Sequence, residues 1–210
     1  MARLLAFLVF FAVFVFVVGF LSGYFLERTG IAYSKASIEE LRNEVENMQI
    51  QEMFVAGEQV DCKLLYSTMG SMSWRLYDLV NQLKATGPES WEFWEMKRQA
   101  DFLSLRAWMI SRNIRDKCTE ELLPVLYIYS VSPECEAQDQ ALQAIKGKHR
   151  NVLVYAIDFY LDEPAVRLVK DAYAINSTPA MIIDHQLYGV LDEAGLEQVV
   201  CQEINCTETK

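Results

Sequence analysis

The stretch Val125-Leu126-Tyr127-Ile128-Tyr129-Ser130-Val131-Ser132-Pro133-Glu134-Cys135 decides the fold. Val125 to Tyr129 is a run of β-branched, aromatic and aliphatic residues, the composition of a strand. It ends in small polar residues and gives way to a helical stretch over 136–146. A strand leading directly into a helix, with a serine, a proline and a cysteine at the joint, places polar chemistry at a strand's end.

Working outward, two more joints of the same kind appear. Val152 to Ile157 and Ala180 to Ile183 read as strands, with a helix over Pro164–Tyr173 between them. Leu187 to Val190 reads as a fourth strand and Glu193–Cys201 as a last helix. The order βαβαββα requires a parallel pair joined through a crossover, followed by an antiparallel hairpin.

This order and the residues at its joints are similar to the thioredoxin superfamily over roughly residues 122–203, an α/β domain with a mixed four-stranded sheet and flanking helices. Val125 to Ser130 resembles the strand that feeds the active-site loop. Ser132-Pro133-Glu134-Cys135 sits where the family carries its CxxC. Asp158 and Asp162-Glu163-Pro164 resemble the turn that ends the next strand, and Thr178-Pro179 resembles the cis-proline that faces the CxxC loop. The resemblance implies that Cys135, Ser132 and Pro179 form the catalytic position and that Thr178 and Pro133 border a binding groove.

The departure from the family pattern bears on function. In active members the first cysteine lies at a helix N-terminus, where backbone N–H groups and the helix dipole stabilise a thiolate. Here Ser132 takes that place, and a hydroxyl cannot enter a disulfide, so the loop holds a monothiol. Glu134 and Glu136 flank Cys135 and are expected to disfavour its thiolate. A groove that binds a peptide or protein partner is therefore the favoured reading. The alternative is a thiol-disulfide oxidoreductase or isomerase using Cys135.

Upstream, residues 36–120 read as three helices. Ser37 and Glu40 form a capping box ahead of Ile38, Leu41, Val45 and Met48. A second helix runs over 58–84 and is stopped by Thr86-Gly87-Pro88. A third, over 89–117, carries Trp91, Trp94, Phe102, Leu105, Trp108, Met109 and Ile114, a stripe expected in a core. An antiparallel hairpin turning at Gly87 brings Cys62 and Cys118 to the same end, and a disulfide between them is expected. Cys201 and Cys206 are close enough in sequence for a small loop disulfide, and pairing of either with Cys135 stays open.

Residues 1–28 read as a transmembrane anchor. No charge occurs from Leu4 to Leu26, and the stretch would make about 34 Å of helix, against a hydrocarbon core of roughly 30 Å. Arg3 against Arg28, Lys35 and Arg42 leaves orientation open by charge. The cysteines, all C-terminal to this stretch and without metal-ligand spacing, favour a cytoplasmic N-terminus and extracytoplasmic domains on a single-pass cell-membrane protein. The lipid bilayer is then a partner, and Gly19 and Gly23 form a GxxxG pair suited to a homodimer. A net charge of −10 argues against nucleic acid. No metal and no cofactor are expected.

Overall fold

The computed structural model describes residues 11, 13–20, 61–118, 121–204 and 206. The chain divides into two compact units, Met1–Glu58 and Gln59–Lys210. In the first, the described residues are helical and exposed. The capping box at Ser37, the helix expected after it and Gly23 lie outside the described residues.

The membrane reading is corrected. Among the described residues no helix is long and apolar enough to cross a membrane. The two helices that are long enough, of 24 and 27 residues, carry charged side chains along their length. The transmembrane helix and the single-pass cell-membrane placement are overturned by this finding.

The second unit opens with helix α1, Cys62–Ala85, capped by the Asp61 carboxylate, which accepts from Lys63 N–H. Helix α2, Trp91–Lys117, starts at Ser90, whose hydroxyl accepts from Phe93 N–H. Then follow β1 (Leu123–Tyr129), α3 (Pro133–Lys148), β2 (Val152–Asp158), α4 (Pro164–Ala172), β3 (Ala180–Ile183), β4 (Gln186–Tyr188) and α5 (Glu193–Glu203). The sheet order is β2-β1-β3-β4, with β1 and β2 parallel and the other neighbours antiparallel. The mixed four-stranded sheet and the α/β class agree with the sequence reading.

β1 is central, and its residues from Leu123 to Ile128 are all buried. One core layer joins Leu123, Val125 and Tyr127 to Leu142 and Ile145 of α3 and to Leu196 and Val200 of α5. α2 packs against β1 and β2 and also against α1. From Ala100 to Ser111 only Met109 is exposed, the pattern of a helix covered on more than one side. The stripe expected as core is thus divided. Leu105, Trp108 and Ile114 are buried, whereas Trp91 and Trp94, which precede the buried stretch that begins at Ala100, and Met109 within it are more than half exposed.

The β3–β4 turn places Asp184 and His185 at φ of 43° and 68°. Two successive left-handed residues match the right-handed twist of a two-residue hairpin. Arg115 ties this turn to the rest: its guanidinium donates to Asp184 Oδ1 at 3.1 Å, to Leu122 O at 2.9 Å and to Glu203 Oε2 at 3.2 Å. β4 stops at Tyr188 rather than continuing to Val190.

Cys62 and Cys118 are disulfide-bonded, with Cα atoms 6.0 Å apart. Cys201 and Cys206 form a second disulfide at 5.2 Å. Loop-closure entropy assigns the first about 4 kcal/mol and the second about 2 kcal/mol. Urea denaturation of the Cys62→Ala/Cys118→Ala variant should therefore show roughly twice the stability loss of Cys201→Ala/Cys206→Ala. Equal losses would mean that chain entropy does not govern these crosslinks.

Candidate functional site

Ser132 is the N-cap of α3: its hydroxyl accepts from Cys135 N–H at 3.2 Å, and Pro133 opens the first turn. Proline is well suited there, since an N–H at that position has no intrahelical acceptor. The cap fixes Cys135 within the first turn of α3, with its side chain turned toward the end of β1.

Cys135 is the free cysteine of the described residues and is 4% exposed. Its sulfur accepts from Ser130 N–H at 3.4 Å, and the Ser130 hydroxyl lies at 3.8 Å. That hydroxyl is hydrogen-bonded to Thr178 Oγ1 at 2.6 Å. Burial pushes the thiol up. Hydrogen bonds from Ser130 N–H, from Ser132 and Thr178, and from the Ser130 hydroxyl outweigh it and hold Cys135 below its ordinary value. The expectation that Glu134 and Glu136 would disfavour the thiolate is therefore reversed, because donors fixed by the cap and by β1 act at shorter range.

Thr178-Pro179 is a cis peptide bond, immediately before β3. The sequence-expected residues are brought together unequally. Ser132, Pro133 and Cys135 line one open groove of about 570 Å³, together with Tyr127, Tyr129, Ser130, Val131, Glu136, Asp139 and Ala156. Thr178 borders the Cys135 thiol and bonds the Ser130 hydroxyl but is not among the residues lining the groove, nor is Pro179. Tyr127 donates its hydroxyl to Cys135 O at 2.7 Å, and burial raises its phenol pKa, so it stays a donor.

Behind Tyr129 lies a charged cluster that the sequence reading missed. The parallel register pairs Tyr129 with Asp158 at the C-terminal ends of β1 and β2. Lys97 of α2 forms an ion pair with Asp158 and lies 5.7 Å from the Tyr129 ring centre. Asp101, one turn on, is 5% exposed and accepts from Asp158 N–H at 3.4 Å. Burial raises its carboxyl to about 7, Lys97 opposing and the Asp158 charge assisting. The available signal was the Lys97 and Asp101 pair at i, i+4 helical spacing.

Comparison with protein-family models, with curated proteins and with solved structures finds no match.

A carboxyl with a folded value near 7 and an unfolded value near 3.9 keeps a proton on folding that the unfolded chain has lost. Stability from this group therefore falls as pH rises from about 4 to 7 and levels off above. Urea denaturation at pH 4.5 and 7.5 should show the wild type losing on the order of 3 kcal/mol more than Asp101→Asn over that interval. An identical pH dependence in the two proteins would show that Asp101 ionises normally.

Proposed function

We propose that residues 122–203 are a thioredoxin-type domain that has lost dithiol chemistry and uses the groove at the end of β1 to hold an extended polypeptide segment. The observation that carries this reading is the occupation of the helix cap by Ser132, whose hydroxyl is engaged with Cys135 N–H. Support for the fold comes from the strand order β2-β1-β3-β4 and the cis Thr178-Pro179 bond beside the thiol.

The groove's chemistry suits a peptide with one apolar and one basic side chain. Tyr127, Tyr129, Val131, Pro133 and Ala156 offer apolar and aromatic surface, and Val131 is fully exposed. Glu136 and Asp139 supply negative charge on the same wall. Aromatic rings bury much area at little entropic cost, while carboxylates select for Lys or Arg.

A second reading, single-cysteine thiol exchange at Cys135, is favoured by the lowered thiol pKa. Against it stands burial: an attacking sulfur must reach a disulfide in line, and Cys135 is 4% exposed. A mixed disulfide formed there has no neighbouring thiol at position 132 to resolve it.

The two readings separate in one assay. Wild type should show insulin-type disulfide reduction no faster than Cys135→Ser, and Ser132→Cys should raise it at least tenfold by completing the dithiol at a helix N-terminus. A second variant, Ser132→Cys/Cys135→Ser, should trap an unfolded cysteine-bearing polypeptide in the groove as a stable mixed disulfide. Wild-type reduction that Cys135→Ser abolishes and Ser132→Cys leaves unchanged would instead establish the single-cysteine enzyme.

A further inference from the structure

On the opposite flank of the domain, the end of α3 and the end of α5 bring four metal-ligating side chains together. His149, Glu197, Cys201 and Cys206 each offer one donor atom, and these atoms all lie within 4.8 Å of one another. His149 caps the end of α3 and is 5% exposed. One of its ring nitrogens lies 2.6 Å from Glu197 Oε1. Cys206 Sγ lies 4.0 Å from the same ring, and Cys201 Sγ lies 3.7 Å from Glu197 Oε1.

The two sulfurs are joined as the Cys201–Cys206 disulfide, and a disulfide sulfur is a poor ligand. Two thiolates, an imidazole and a carboxylate are a donor set that suits zinc, whose tetrahedral sites place neighbouring donors about 3.3 to 3.8 Å apart. Most of the required approach is therefore already made. Breaking the S–S bond lets the sulfurs separate to that spacing, the His149 and Glu197 donors part from their 2.6 Å hydrogen bond by less than about 1 Å, and the wider-spaced donors move inward by about 1 Å at most.

We propose that this cluster is a redox-gated zinc site, closed as the disulfide and opened by reduction. A dithiol reductant supplies two electrons and two protons. The Cys201–Cys206 bond breaks to give two thiols, and the reductant closes into its own disulfide. Zn²⁺ then displaces the two thiol protons and is held by both sulfurs, one His149 nitrogen and one Glu197 oxygen. Thiolates and carboxylate together carry one more negative charge than the ion neutralises, and Lys148 lies 3.0 Å from Glu197 Oε2 to offset it.

The carboxylate and the buried imidazole distinguish this from a simple helix-end clamp, which needs neither. The site is independent of the groove and of Cys135, and so of the function proposed above.

Cobalt(II) titration of the full-length protein tests it, before and after reduction with a phosphine. The reduced wild type should bind one ion with a thiolate-to-cobalt charge-transfer band, and the oxidised protein should bind at least a hundredfold more weakly. His149→Ala should weaken binding to the reduced protein at least tenfold, while Cys62→Ala/Cys118→Ala and Cys135→Ser should keep the band. As a readout that needs no variant, Zn²⁺ should raise the melting temperature of the reduced wild type and leave that of the oxidised protein unchanged. The proposal is overturned by a missing charge-transfer band, by equal affinity in the two redox states, or by a band that survives Cys201→Ser/Cys206→Ser.

Discussion

The burial of α2 between α1 and the parallel strands holds this unit together. From Ala100 to Ser111 the helix has one exposed position, so its side chains serve two packing faces at once. Leu105 and Trp108 are buried, and Ser111 shares a buried 2.7 Å hydrogen bond with the Tyr155 hydroxyl of β2. Continuous apolar burial of this kind is the dominant favourable contribution to folding. The Cys62–Cys118 disulfide then closes the open end of the helical hairpin that presents α2 to the sheet.

The same packing accounts for the charged groups behind the groove. A helix laid across β1 and β2 carries Lys97 and Asp101 to the strand ends, where Asp158 follows the parallel register. Lys97 and Asp158 compensate each other, and Asp101 is left as the group whose burial is least offset. On the groove side, the cap at Ser132 and the N–H of Ser130 decide the state of Cys135. A thiol held below its ordinary pKa is commonly a nucleophile. Here the same donors that stabilise the thiolate also surround it, and the hydroxyl at position 132 removes the resolving step.

Much of the fold was legible because its signals are local. The strand-to-helix joint at Ser132, the hairpin between Ile183 and Leu187, the stop at Gly87-Pro88 and the convergence of Cys62 and Cys118 each depend on residues close in sequence or on simple helix lengths. What α2 packs against was not legible, since a stripe of Trp, Met and Leu fits a helical partner as well as a sheet. Asp101 was hidden for the same reason. Ser130 was passed over because its part is played by a backbone N–H, which every residue except proline carries. The apolar run from Leu4 to Leu26 has the composition of a span, yet among the described residues no helix meets the length and hydropathy that crossing requires. Cys201 and Cys206 sat beside His149 and Glu197 only once α3 and α5 were brought together.

Cys135 is a single free thiol, shielded from solvent beside the Ser132 cap. Counting thiols with a chromogenic disulfide reagent, on the native and then on the denatured, unreduced protein, tests this most directly. The account predicts no rapidly reacting thiol in the native state and one per chain after denaturation, with Cys135 the labelled residue on peptide mapping. A thiol that reacts rapidly in the native protein, or a count of three or more after denaturation, would contradict it.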